Sequence, residues 1–222
     1  MADDLAAILP LPTTISDHAF VPLAGEAPLA RVAHTMLGAA VVAVAEPLAD
    51  RVRKTLATQG LSNIGVAVAD DSGTRAGCLA AGLQYLDTKQ RLVVIHDIRR
   101  PLAPASLRDR VIAALREGNP VVMPMLGVTD SVKAVDGRGS VTETLDRSTL
   151  RSVQYPRGFT ADQLSQLLAQ RTSEEFDELD ETLRLGTPIA VVDGDADAFI
   201  IELPRDAAFV EAIIACRRPT GG

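Results

Sequence analysis

Short apolar runs alternate with amphipathic segments along the first half of the chain. The apolar runs are typical of strands buried on both faces, and the segments between them carry apolar residues at helical spacing. The predicted strands cover residues 5–9, 39–45, 64–69, 92–95 and 121–126, and the predicted helices cover 47–59, 74–86 and 104–117. This rhythm predicts a three-layer α/β/α domain with a mostly parallel sheet and right-handed crossovers.

The rhythm changes after residue 126. Residues 131–144 alternate between polar and apolar, with Asp136-Gly137-Arg138-Gly139 in the middle, which is a hairpin signal. We expect a β-arm over residues 129–158 that either joins two subunits in a C2 homodimer or folds onto its own domain. Further helices at 161–170, 173–185 and 205–216 and strands at 189–192 and 199–203 complete a single predicted domain, 1–222.

Composition narrows the classes of partner. Hydrophobic residues make up 47% of the chain, aromatic residues only 3%, and tryptophan is absent, so the core is predicted to be aliphatic. The net charge of −7 argues against a nucleic-acid partner. Cys78 and Cys216 lack metal or redox spacing and are expected to be reduced thiols. An acidic N-terminus and the lack of a long apolar run predict a soluble, cytoplasmic protein without membrane contact.

The most informative chemical signal follows the fourth predicted strand. The apolar residues Val93-Val94-Ile95 lead into His96-Asp97-Ile98-Arg99-Arg100-Pro101, so an acid and two arginines follow directly. The carboxyl ends of parallel strands form ligand sites in α/β proteins. An aspartate delivered to that edge often holds a divalent cation against a triphosphate. We therefore predict a phosphate and metal site around Asp97.

Several segments resemble motifs of one enzyme family. The residues 96–101 resemble its HDAARP motif, and Thr129-Asp130-Ser131-Val132-Lys133 resembles its TDTIK segment. Asp146-Arg147 and the later residues 153–159 are similar to its DR…QTPQGF stretch. The family is 2-C-methyl-D-erythritol 4-phosphate cytidylyltransferase, and the resemblance covers most of the chain in the same order. It implies a Rossmann-like nucleotidyltransferase fold, similar to that of nucleotide-diphosphosugar transferases, and a projecting β-arm that forms a homodimer.

The resemblance also implies a reaction and the residues for it. Members transfer CMP from CTP to 2-C-methyl-D-erythritol 4-phosphate in the non-mevalonate isoprenoid pathway, with a divalent metal that is usually Mg²⁺. In this chain Asp97 matches the metal-binding acid, Arg147 the substrate-phosphate arginine, and Ser131 a substrate-contacting threonine. Two structural alternatives stay open: Arg147 in a surface ion pair, and Asp97 as a loop carboxylate paired with Arg99 or Arg100.

The chain departs from the family pattern where the triphosphate is expected. The family has a glycine-rich loop with Arg and Lys, whereas residues 9–20 contain no Gly, Arg or Lys and include Pro10 and Pro12. Prolines remove backbone N–H donors that phosphates need. His18 takes the place of the loop lysine, and Ile200 that of a second lysine near the C-terminus. Other departures from the motifs are Cys78, Ile98, Arg99, Tyr155 and Arg157.

These departures lead to two functional hypotheses. In the first, the chain keeps the fold and the dimer but has lost the chemistry, and it acts as a binding or regulatory partner. In the second, it is an active cytidylyltransferase with a rearranged site, in which Arg75, Arg99 and Arg100 bind nucleotide phosphates. We favour the first, because nucleotidyl transfer depends on positioned cations and donors, and the loop and both lysines are absent together.

Overall fold

The structure is a computed structural model of the 222-residue chain, and it describes residues 4–15, 19–70, 73–87, 89–173 and 175–217. The strands in these ranges are β1 Leu5–Leu11, β2 Ala39–Ala45, β3 Gly65–Ala69, β4 Leu92–Ile95, β5 Val121–Gly127, β6 Lys133–Val135, β7 Val141–Thr144, β8 Arg151–Val153, β9 Arg157–Thr160 and β10 Ala190–Asp193. The helices are α1 Pro28–Thr35, α2 Ala49–Thr58, α3 Arg75–Tyr85, α4 Ala105–Arg116, α5 Ala161–Ala169, α6 Glu178–Arg184 and α7 Ala207–Arg217.

Eight of the described strands form one sheet. Its order is β10-β5-β9-β4-β1-β2-β3, and β8 pairs with β5. The pairs β1–β2, β1–β4, β2–β3 and β5–β10 are parallel, whereas β8 and β9 run antiparallel to their neighbours. The predicted α/β fold with a mostly parallel sheet is therefore confirmed.

The central strand β1 explains the three layers. Its seven residues are all buried, and successive side chains point to opposite faces of a sheet. Leu9 packs with α1 and α2 on one face, while Ile8 packs with α3 on the other. A Cβ atom added at Gly82 in α3 would lie 2.9 Å from Ile8 Cγ2, so this glycine permits the close approach of helix and sheet.

The hairpin predicted after β5 is present. Strands β6 and β7 pair antiparallel in a separate two-stranded sheet, and residues 137–149 are exposed to solvent along their whole length. The predicted arm of residues 129–158 is longer than the projecting part, because β8 and the first residues of β9 pair with the main sheet. Whether the arm joins two subunits stays a prediction.

Two predictions about local structure were wrong, and one strand was missed. Residues 199–203 are not a strand: Ile201 N–H donates to the Arg99 carbonyl over 2.8 Å, and the apolar side chains pack in a small cluster with α7. The helix predicted over 173–185 begins only at Glu178, because the Asp177 carboxylate caps it by accepting from two backbone N–H groups. Strand β9 was missed, since its sequence Arg-Gly-Phe-Thr is not a β-branched run.

None of the described helices has the length and apolar character needed to cross a membrane. Cys78 is buried in the core and Cys216 is exposed, and neither takes part in a disulfide.

Candidate active site

Asp97 lies at the carboxyl end of β4, the strand between β1 and β9. The N–H of His96 still donates to the Ile8 carbonyl of β1 over 2.9 Å, and the chain then turns, with the Arg100 N–H donating to the Asp97 carbonyl over 3.0 Å. This turn holds the Asp97 side chain at the sheet edge, where it is only 2% exposed. The predicted position of this acid is thus the observed one.

Both carboxylate oxygens of Asp97 accept hydrogen bonds from Arg99. The Arg99 backbone N–H reaches Oδ1 over 3.0 Å, Nε lies 3.2 Å from each oxygen, and Nη2 lies 2.8 Å from Oδ2. Burial raises the pKa of Asp97, but the hydrogen bonds and charge of Arg99 outweigh it and hold the pKa below its usual value. Asp97 is therefore ionised, and Arg99 occupies both of its carboxylate oxygens.

This arrangement does not fit a resident divalent cation. A metal at Asp97 needs free carboxylate lone pairs, and Arg99 occupies both oxygens. Within the described ranges, no three His, Cys, Asp or Glu side chains cluster in a way that could hold a metal. A Mg²⁺ ion at Asp97 stays a prediction, and it requires Arg99 to move away first.

Arg100 is buried next to Asp97 and links two backbone segments. Its guanidinium donates to the Ala198 carbonyl and, over 3.1 Å, to the Val153 carbonyl, and the residue is buried. Burial lowers the pKa of Arg100 from the usual arginine value. The arginine ties the C-terminal segment to β8, and its phosphate-binding role stays a prediction.

Arg75 belongs to a buried charge network centred on Glu178. Glu178 Oε1 accepts from Arg75 Nε over 2.8 Å, and Oε2 accepts from Tyr155 Oη over 2.7 Å and from Arg157 Nη1 over 2.8 Å. Burial lowers the pKa of Arg75, but the charge of Glu178 outweighs this effect and raises it above the usual value. Arg75 is therefore held by a carboxylate, and its contact with a nucleotide stays a prediction.

Tyr155 lies inside this network. The Arg157 guanidinium carbon is 4.1 Å from the centre of its ring, and that of Arg75 is 5.4 Å away, which are cation–π distances. Burial, followed by the charge of Glu178, raises the pKa of Tyr155, so its hydroxyl stays protonated and donates. Tyr155 and Arg157, two of the departures from the family motif, are therefore in direct contact with each other.

Arg147 and Ser131 lie on the arm, away from this network. Arg147 donates to the Thr129 carbonyl and lines a surface depression of about 580 Å³ with residues 125–128 and Gly194. Ser131 is exposed. The depression that Arg147 lines is separate from the small cavity that Asp97 lines in the described structure, and the roles of Arg147 and Ser131 as substrate contacts stay predictions.

The described part of the segment after β1, which ends at Ile15, offers few free backbone donors. Strand β1 continues through Pro10 and Leu11, which pair with Ala43 and Val44 of β2. In the 3₁₀ turn that follows, the Thr13 N–H donates to the Gly73 carbonyl over 3.0 Å. His18, predicted in place of the family lysine, lies outside the described residues.

The comparisons with known proteins decide the family. A profile of 2-C-methyl-D-erythritol 4-phosphate cytidylyltransferase (IspD) matches residues 14–216. The chain belongs to this family. The matched range begins after β1, so the strand and the first residues of the divergent turn lie outside it.

Relatives and solved structures agree with this membership. The cytidylyltransferase of that name from Rhodococcus opacus is 37% identical over 201 residues, which cover 88% of this chain and 86% of the relative. The crystal structure of the Thermus thermophilus enzyme has a TM-score of 0.76 at 27% identity and covers 94% of this chain and 98% of its own. The enzyme from Anaerococcus prevotii, with a TM-score of 0.79 at 22% identity over 96% and 97% of the two chains, supports the fold.

Glu178, at the centre of this buried network, was not among the residues predicted from the sequence. The carboxylate lies 103 residues from Arg75 along the chain, and an acid in the first turn of a helix is ordinary. Its burial together with Arg157, a basic substitution in the motif, is a signal that only the fold makes visible.

Proposed function

We propose that this member of the cytidylyltransferase family is strongly impaired in transferring CMP from CTP to 2-C-methyl-D-erythritol 4-phosphate, and that it acts by binding. The observation that carries the proposal is the turn after β1. Pro10 and Pro12 have no N–H, and the N–H groups of Thr13 and Ile15 donate to the carbonyls of Gly73 and Pro12. These groups therefore offer no donors to a triphosphate.

The distribution of cations supports the same proposal. The chain has three lysines, at 54, 89 and 133, which lie in α2, before β4 and in the arm. Ile200, at the second lysine position, is 44% exposed and apolar. Losing one stabilising donor typically lowers the rate by about 10²- to 10³-fold. With the loop and both lysines lost, we expect transfer at least about 10³-fold slower than in an active relative.

A second candidate is an active enzyme with a rearranged site. The retained Asp97, Ser131 and Arg147, and the 37% identity to the Rhodococcus opacus enzyme, favour it. In this candidate Arg99 leaves Asp97 when Mg²⁺ and CTP bind, and it joins Arg100 on the phosphates. The two candidates make opposite predictions about turnover.

Calorimetric titration with CTP, with and without Mg²⁺, followed by a pyrophosphate-release assay with 2-C-methyl-D-erythritol 4-phosphate, separates them. The Rhodococcus opacus enzyme serves as the positive control. We expect no release above background. Release that disappears in Asp97→Ala would establish the active candidate instead, whereas CTP binding without release would agree with a binding role.

We also propose that the arm joins two copies of the chain. Val135 and Val141 on the arm are 60% and 65% exposed, and exposed apolar residues on a projecting hairpin are typical of an interaction surface. A C2 dimer would bring Ser131 and Arg147 of one copy towards the other copy. Sedimentation velocity is expected to give a dimer, and a monomer across the micromolar range would overturn this assignment.

A further inference from the structure

A cavity of about 330 Å³ opens beside Asp97, and its walls are mainly aliphatic. It lies between the turn after β1, the start of α1, the loop after β4 and the segment that precedes α7. Ile15, Pro28, Ile98, Ile201 and Leu203 supply most of the apolar wall, and Arg99 supplies a cation. An apolar pocket with a few polar groups is the usual form of a small-molecule site. We propose that this cavity binds a small amphipathic anion, a phosphate or carboxylate on a short aliphatic body.

Arg99 is positioned to bind the anionic group. Asp97 holds its Nε and Nη2, which fixes the guanidinium plane, and Nη1 donates to no other described residue. The side chain is 51% exposed, and the Arg99 carbonyl accepts from Ile201 N–H over 2.8 Å, so both ends of the residue are anchored at the cavity wall. A pre-oriented guanidinium loses little freedom when it binds an anion.

The local charge favours an anion. Among the described residues, Asp97 is the carboxylate whose charge acts on both Arg99 and Arg100, and Arg100 donates only to carbonyl groups there. Two guanidinium groups therefore share one carboxylate, which leaves an excess positive charge at the sheet edge. Glu202, the acid among the described lining residues, is largely exposed, and Arg205 Nη1 lies 3.0 Å from its Oε2.

The size of the cavity and its aliphatic walls favour a small, apolar body for the ligand. The cavity volume of about 330 Å³ lies at the small end of the range of about 300–1,000 Å³ that is usual for ligand pockets, which favours a small ligand over a nucleoside triphosphate. The aliphatic walls stabilise a buried hydrocarbon by about 25 cal/mol per Å² of apolar area but offer few partners to a base or sugar. The inference deepens the proposed binding role, and it rests on that role because an active enzyme would need this edge for phosphates.

The test uses hexyl phosphate and hexanoate as probes, titrated into the full chain by calorimetry. Inorganic phosphate and 1-hexanol are the matched controls, since each lacks one half of the proposed ligand. We expect the better of the two probes to bind at least about tenfold more tightly than either control, because a hydrogen bond to a charged group and the apolar contact both contribute. The order of the two probes identifies the head group.

Two further measurements locate the site. In methyl spectra of isoleucine-labelled protein, hexyl phosphate is expected to shift Ile15, Ile98 and Ile201, and to leave Ile112 in α4 unchanged. The double variant Asp97→Asn with Arg99→Gln removes the cation without leaving an unpaired buried acid, and it is expected to weaken binding about tenfold or more. Arg53→Gln, the same change on the exposed face of α2, should leave affinity unchanged.

Probe binding no tighter than that of the controls, or binding that the double variant leaves intact, would overturn the inference. Glu202→Gln gives an independent check, since removal of this acid should strengthen binding of the anionic probes and not of 1-hexanol. The proposed loss of transfer is judged separately by pyrophosphate release. A chain that binds no probe and releases no pyrophosphate contradicts only the cavity inference, whereas pyrophosphate release contradicts the proposed function.

Discussion

Replacement of Glu178 by glutamine is expected to destabilise the protein by about 3–5 kcal/mol. The side chain is fully buried, and its oxygens accept from Arg75, Tyr155 and Arg157 over 2.7–2.8 Å. Glutamine keeps the shape of the side chain but carries no charge. Its NH₂ group cannot accept a hydrogen bond, so it must face either Arg75 or the pair Tyr155 and Arg157 without bonding to them. Arg157 keeps Asp177 as a partner at 3.1 Å, whereas no other described carboxylate is in direct contact with Arg75.

The same substitution three residues later provides the control. Glu181 is also buried, with 8% of its side chain exposed, but its partner Arg184, 2.6 Å away, is 38% exposed. Arg184 also donates to the Gln170 carbonyl, so it keeps a partner and water contact when the acid is lost. We expect Glu181→Gln to cost no more than about 1 kcal/mol. Urea unfolding followed by circular dichroism measures both, and for a chain of this size the Glu178 variant should also melt about 6–20 °C lower. Equal losses in the two variants would refute the claim that the network is a buried, mutually dependent set.

Three other changes test separate parts of the account. Burial lowers the pKa of His96 to about 3, so as the pH falls the unfolded chain takes up a proton on His96 at a higher pH than the folded chain does. The free energy of unfolding should therefore fall by about 1 kcal/mol between pH 7 and about pH 5.5. His96→Leu should remove that part of the pH dependence of urea unfolding, and an unchanged slope would contradict it. Ile200→Lys adds a cation where the family has its second lysine, but the proposed loss of transfer also involves the loop and its lysine. Pyrophosphate release should therefore stay within about tenfold of that of the unmodified chain, and a larger rise would make Ile200 the main cause of the proposed impairment. Val135→Glu combined with Val141→Glu should convert the proposed dimer to a monomer in sedimentation velocity with an unchanged far-ultraviolet spectrum, and a persistent dimer would place the contact elsewhere.

The continuous apolar runs of β1 and β4 made the sheet predictable, because strands buried on both faces have few alternatives. The position of Asp97 followed from the end of β4 for the same reason. The partner of Asp97 was left open between Arg99 and Arg100, since two arginines in one turn have the same charge. Only the backbone geometry selects Arg99, whose N–H and guanidinium reach the carboxylate together.

Other features depend on contacts between distant segments. The run Phe199-Ile200-Ile201-Glu202-Leu203 has the composition of a strand, but the sheet ends at β10 on that side, and the segment packs against α7 instead. The role of Glu178 depends on Arg75, far away along the chain. Local sequence cannot specify such pairings, because tertiary contacts override intrinsic preference.

The most direct test of the central claim is a single-turnover measurement of CMP transfer. The protein is mixed in excess over labelled CTP, with Mg²⁺ and 2-C-methyl-D-erythritol 4-phosphate, and conversion is compared with that by the Rhodococcus opacus enzyme under the same conditions. We expect a rate at least about 10³-fold below that of the relative. A rate within about tenfold of it, lost in Asp97→Ala, would show that the site transfers CMP without the glycine-rich loop and the two lysines, and would contradict the account.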